Sequence, residues 1–201
     1  TIDERNAILP AEKIAINAVM AGCLPTYFPV VLAAVRALCH PDFHYHNPAT
    51  STGGSGLALM VNGPIGPRLG INATNNVFGP GVRANATIGR ALQLTIRNVG
   101  GGKPGGVDRA TLGQPGKYTF CFAENESASP WEPLHVERGF DRTASTVTLF
   151  AGEGPRGIID QLSRTPESLA RSFAACLRTT THPKLPIAFD AMLVVSPEHG
   201  R

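Results

Sequence analysis

Residues 57–62 read Leu-Ala-Leu-Met-Val-Asn and are closed by Gly63-Pro64. A short apolar run between turn formers is the signature of a buried strand, since it is too brief for an ordinary helix. Downstream, Arg83 to Val99 places Ile88, Leu92, Ile96 and Val99 on one stripe at helical spacing, with Gly100-Gly101-Gly102 ending it. Upstream, Pro10 to Ala21 predicts a helix with Ile14, Ala18 and Ala21 on one face and Gly22 as its stop. A second helix is expected from Leu24 or Pro25 through Leu38, which sets Cys23 at a helix entrance. Strands are expected at 117–123 (KYTFCFA), 145–150 (STVTLF) and 191–195 (AMLVV). Thr165 and Pro166 read as the cap and first residue of a helix with its body at Ser168 to Leu177. Alternating strands and helices predict an α/β fold over residues 1–201, one domain with a mixed sheet covered by helices.

Composition narrows the function classes. An apolar fraction of 42% and a charged fraction of 16% belong to a globular chain and argue against disorder. The net charge of +3 is scattered, so nucleic-acid binding, which needs a dense cationic surface, is not expected. The apolar run near Phe28 to Leu38 is interrupted by Pro29 and Arg36 and is too short to span a bilayer. The opening Thr1 to Asn6 is polar with no signal-peptide core after it, and the four cysteines show no CxxC spacing. A cytoplasmic chain with reduced thiols is the expectation, and the sequons at Asn72, Asn85 and Asn125 would matter only after secretion.

Candidate chemistry gathers between about residues 61 and 140, a Gly- and Asn-rich region. The loop running through Asn75, Asn76, Gly79 and Gly81 to Arg83 and Asn85 feeds a predicted helix, whose free N–H groups suit a carboxylate or phosphate. Asn62 at the strand end adds an amide to this binding set. No Walker-type Lys-Ser/Thr follows the glycines, so a nucleotide triphosphate is not expected. The same loop also reads as a structural turn with Asn in left-handed positions.

The second constellation is Lys117, Cys121, Glu124, Asn125 and Glu126, followed by Trp131, Glu132 and His135. A thiol with carboxylates and an imidazole downstream is a nucleophile with its proton-handling groups, or a redox thiol. Cys121 reads equally as a buried core residue. Trp131 in a polar loop could cover a pocket. Cys23 is a further thiolate candidate if a helix dipole points at it, while Cys39 and Cys176 fall in helical patterns and are expected in the core. His40, His44 and His46 flank Asp42, but their spacing fits no fixed ligand pair, and His46 is only a weak metal candidate.

Three strings resemble a bacterial group whose genes neighbour, or are fused to, the UGSC family of thiol or selenol proteins: EKIAINAVMAGCLPTYFPVVLAAV, VNGPIGPRLGINATNNVFGPGVRANATIGRA and GKYTFCFAENESASPWEPLHVERGF, between about Glu12 and Phe140. The resemblance implies redox or nucleophilic sulfur chemistry in a two-component enzyme. It draws attention to Cys23, Asn62, Asn76, Arg83, Asn85, Cys121, Glu124, Asn125, Glu126, Trp131, Glu132 and His135. Longer members of the group carry flanking segments, which implies a partner for this chain. The histidine loop and Ser51 to Gly54 lie outside the resemblance.

Three expectations follow. The first is an enzyme subunit, homo- or hetero-oligomeric, acting on a small anionic molecule. Cys121 or Cys23 would be its thiolate and Glu124, Glu126 and His135 its proton carriers; oxidoreductase, lyase and hydrolase chemistry stay open, and so does the use of a metal or redox cofactor. The second is a non-catalytic subunit completing the site of a UGSC-type chain, which predicts an exposed apolar patch. The third is a metal-dependent hydratase or lyase using His44 and His46.

Overall fold

The computed structural model describes residues 9–180 and 190–200. Its elements in chain order are α1 (Ala11–Ala21), α2 (Phe28–Leu38), α3 (His46–Thr50), β1 (Gly56–Asn62), α4 (Ile65–Leu69), α5 (Arg83–Asn98), β2 (Cys121–Ala123), α6 (Leu134–Glu137), β3 (Thr146–Gly152), α7 (Pro166–Arg178) and α8 (Pro197–Gly200). The fold is α/β, with a mixed sheet in the order β2-β1-β3. β1 runs parallel to β2, Leu59 opposite Cys121, and antiparallel to β3, Asn62 opposite Thr146.

β1 is buried along its whole length because both of its faces are covered. Leu57, Leu59 and Val61 join Cys121 and Ala123 in the main core, packed with Val31 and Ala34 of α2 and Ile88 and Leu92 of α5. The opposite β3 residues Val147, Leu149 and Ala151 pack on the same core, so one side of the sheet is the helical side. Each fully buried Leu, Ile or Val there contributes about 1.5–3 kcal/mol. α5 lies close to β2 at Gly89, where a Cβ would stand 2.7 Å from the Phe120 nitrogen. The alternate residues Ala58, Met60 and Asn62 point to the other side. Phe122 is there too, its ring 4.9 Å from that of Phe78 in a steep edge contact.

Contacts divide the chain into two compact units, Thr1–Gly154 with Val195–Arg201, and Pro155–Val194. The second unit holds α7, which Thr165 caps by accepting from the Ser168 N–H. Asp160 organises its loop by accepting from Leu162 N, Ser163 N, Ser163 Oγ and Ser172 Oγ.

Several expectations change. The strand at 117–123 shrinks to 121–123, because residues 115–117 form a 3₁₀ turn braced by the Gln114 side chain. Residues 191–195 are not a strand and pair with no described strand; Leu193 and Val194 are about half exposed. An apolar pentapeptide carries no information about whether a sheet edge is free to receive it. The histidine loop contains the short α3. Among the described residues, no helix is long and apolar enough to cross a membrane.

Candidate functional site

The carboxyl ends of the parallel strands β1 and β2 converge on one polar cluster. Period-two alternation past Met60 and Phe122 delivers Asn62 and Glu124 to the same side of the sheet, away from the helical core. The two N–H groups of the Asn62 amide fork between the carboxylates: Nδ2 donates to Glu124 Oε2 and, at 3.0 Å, to Glu126 Oε1. Gly63 N also donates to Glu126 Oε1 at 2.7 Å, and Leu134 N to Glu124 Oε2 at 3.0 Å. Gly63 can do so because its φ is 83°, and no larger residue fits, since a Cβ would stand 2.0 Å from the Ala144 carbonyl oxygen. Both carboxylates are therefore held by amide donors.

His135, on α6, completes the cluster. Its Nε2 lies 3.4 Å from the carbonyl oxygen of Arg142. A carbonyl only accepts, so this contact places a ring hydrogen on Nε2, and the lone pair of the neutral ring is then on Nδ1. Nδ1 faces Glu126 Oε1 at 3.9 Å, beyond hydrogen-bond reach. Asn62 is 1% exposed and His135 is 2% exposed, whereas the Glu126 side chain, at 29%, opens the cluster to solvent. Asn62 Oδ1, His135 Nδ1 and the hydroxyl of Thr146, the cross-strand partner of Asn62, are buried without a hydrogen-bond partner. Such atoms are uncommon in folded proteins, because each costs about 1–3 kcal/mol unless something fills the gap. Here three of them belong to one linked group at the end of a sheet, the place where open α/β sheets bind ligands.

The thiols lie apart from this cluster. Cys121 points to the helical side of the sheet, opposite to Asn62, and is buried in the core. Burial, and then the neighbouring Cys23, push its thiol far above the ordinary range, so a thiolate is disfavoured there. The expected thiol–acid–imidazole group is thus divided by the sheet. Cys23 does not sit at a helix entrance: Gly22 N bonds Val19 O and Cys23 N bonds Ala18 O, so it follows the C-terminus of α1, and the 3₁₀ turn begins only at Pro25. Its thiol donates to Thr87 O at 3.3 Å. Burial raises its pKa despite the Thr87 contact and the charge of Arg83. Cys39 is half-buried against the core and Cys176 half-buried in α7.

The Asn/Gly loop is largely occupied with its own shape. Asn76 adopts φ 57° and donates to Pro80 O, and Gly79 N donates to Asn76 O. The side chain of buried Asn85 clamps Asn72 at both its N–H and its carbonyl, and Asn72 O also receives Ala123 N. The carbonyl of Asn75 accepts from Asn72 Nδ2. Arg83 Nε donates to Gly22 O at 3.0 Å, tying α5 to the end of α1. Gly81, with φ 122°, is exposed, and no side chain caps α5. None of these residues hydrogen-bonds to the polar cluster.

Lys117 pairs with Asp108 at 2.7 Å and so leaves the second constellation. The Trp131 ring is largely exposed beside Gly200. Asn125 turns its own loop, its carbonyl accepting from Ala128 N and Ser129 N. Glu132 pairs with Arg142 on the surface at 3.5 Å. Among the described residues, no three His, Cys, Asp or Glu side chains are placed together to hold a metal ion. A depression of about 500 Å³ lined by Thr50, Lys103, Val107 and Arg109 shares no residue with the cluster.

Two members escaped the sequence reading. Thr146 was legible in principle, because TVTLFAG alternates and puts Thr146 opposite a strand-end Asn. The Arg142 carbonyl carried no signal, since any residue supplies one. Comparison with protein-family models, curated proteins and solved structures returns no match for this chain.

Proposed function

We propose that the cluster at the ends of β1 and β2 is an acid–base active site for a small molecule. His135 Nδ1 is the base, and Glu126, half open to solvent and within reach of the same space, exchanges the proton with substrate and water. Asn62, Gly63 and Leu134 hold the two carboxylates, and the Arg142 carbonyl holds the imidazole in its tautomer. The observation that carries this reading is the set of buried, unpartnered atoms on Asn62, His135 and Thr146 beside two carboxylates. The proton-handling roles expected for Glu126 and His135 are retained, Glu124 stands beside them as an acceptor, and Cys23 and Cys121 take no part in the proton transfer. The test is a panel of small esters, amides and hydroxy acids followed by NMR, with wild type beside Glu126→Gln and His135→Asn. Removing a general acid or base lowers turnover by about 10²–10⁴-fold. A wild-type activity that survives both substitutions refutes the reading.

A second reading is favoured by α1. Ile16, Val19 and Met20 are 43%, 75% and 63% exposed and, with Leu24, line one side of the helix and its exit. A contiguous apolar stripe of this kind suits a subunit contact. In this reading the chain assembles with a UGSC-type partner that supplies the sulfur chemistry. Co-expression and size-exclusion chromatography test it: a heteromer that Val19→Glu with Met20→Lys dissolves supports it, and a chain that elutes alone opposes it.

A further inference from the structure

The donors and acceptors of the cluster are unequally distributed. Every N–H that reaches it is already engaged: both of Asn62 Nδ2, Gly63 N and Leu134 N point into the carboxylates. What remains on Asn62 is the acceptor Oδ1, and what remains on His135, with its hydrogen on Nε2, is the Nδ1 lone pair. Glu124 Oε1 and Glu126 Oε2 accept no hydrogen bond from any described residue. The Thr146 hydroxyl alone can act either way. Nδ1 and Glu126 Oε1 face each other at 3.9 Å, beyond hydrogen-bond reach. Among the described residues, neither carboxylate has a Lys or Arg partner, and Arg142 is turned to Glu132.

We infer that this site binds an organic cation carrying N–H donors, an ammonium, amidinium or guanidinium group, with Asn62 Oδ1, His135 Nδ1, the Thr146 hydroxyl and the free carboxylate oxygens as its acceptors. The inference rests on the acid–base reading of the same residues and names the substrate class for it. A donor placed beside Nδ1 gives that buried atom its missing partner, and its positive charge compensates the carboxylates. An anion would meet like charge and find no free N–H. This sets aside the anionic substrate for this cluster. It also assigns the base its proton, since the N–H nearest Nδ1 is the one His135 accepts.

The experiment is NMR on intact protein labelled with ¹⁵N at histidine and asparagine. Methylammonium and guanidinium chloride are titrated below denaturing concentrations, with sodium chloride, tetramethylammonium chloride and sodium formate alongside. Methylammonium and guanidinium are expected to shift the His135 ring and Asn62 amide signals saturably, with dissociation constants of roughly millimolar order for such small ligands. Tetramethylammonium, which has the charge without the N–H, should bind at least about tenfold more weakly, a loss consistent with one charge-assisted hydrogen bond. Glu126→Gln should weaken methylammonium by a similar factor. Thr146→Val, which keeps shape and leaves the carboxylates in place, should weaken it several-fold and serves if Glu126→Gln unfolds the loop. No saturable shift from either N–H cation, a shift from formate instead, or equal binding of tetramethylammonium overturns the inference. Cation binding together with turnover indifferent to Glu126→Gln and His135→Asn sinks the catalytic reading alone. Turnover that needs both residues without cation binding sinks the substrate class alone.

Discussion

Replacing Asn62 by Asp tests the cluster through stability, without any substrate. The side chain keeps its shape but loses both N–H donors and brings a further carboxyl against Glu124 and Glu126, in a position 1% exposed. When the introduced carboxyl is protonated, its O–H replaces one donor. One charge-assisted bond is then lost, at a cost of about 2 kcal/mol. When it is ionised, burial and like charge oppose it, and a rise of its folded-state pKa from about 3.9 to about 6.5 adds about 3.5 kcal/mol. A carboxyl raised on folding contributes stability that is full below its unfolded pKa and is lost as pH rises through its folded pKa. The deficit against wild type should therefore grow from about 3–4 kcal/mol at pH 5 to about 5–6 kcal/mol at pH 8. Asn62→Leu removes both donors without adding a titrating group, and comparing the two variants isolates the introduced carboxyl. Urea denaturation at each pH, read by far-UV circular dichroism, gives the numbers. A deficit for Asn62→Asp that exceeds that of Asn62→Leu by the same amount at pH 5 and pH 8, or that stays under about 1 kcal/mol, would refute the account of Asn62 as donor to two carboxylates.

Three further outcomes are expected. Gly63→Ala must move the Ala144 backbone as well as adopt a strained φ, so it should destabilise by more than about 2 kcal/mol in the same denaturation assay. Cys121 should resist alkylation until the chain unfolds, and Cys23 should react appreciably only above about pH 9, as mass spectrometry of iodoacetamide-treated protein would report. Rapid labelling of either thiol at pH 7 would reinstate it as an activated site. The Asp160 carboxyl is held below its usual range, first by Ser163 and Ser172, so the stability it lends is present above about pH 3.9 and lost as pH falls further. Amide protection factors at Leu162 and Ser163 should then fall on acidification below that value, and should be low at every pH in Asp160→Asn.

The sequence by itself determined the α/β class and most of the core elements. Apolar periodicity marked α1, α5 and β1 almost to the residue, because a buried stripe at 3.6 or a buried run between turn formers is written locally, whereas α2 starts at Phe28, behind a 3₁₀ turn at Pro25–Tyr27. The Thr165 cap was equally local. Glu124, Glu126, His135 and Asn62 could be singled out as chemistry-bearing, but their grouping could not, since Asn62 and Glu124 lie 62 positions apart. Only the parallel register of β1 and β2 brings them together, and only strand alternation puts Cys121 on the opposite side from them. The sequence placed the thiol beside the carboxylates because it counts neighbours along the chain, whereas in a sheet successive residues face apart. The Asn-rich loop misled for a related reason: amides that look available in a list are engaged when Asn85 meets Asn72 and Asn76 closes on Pro80. Whether a polar group is satisfied or left open depends on partners that only tertiary packing supplies, and here that distinction marks the proposed site.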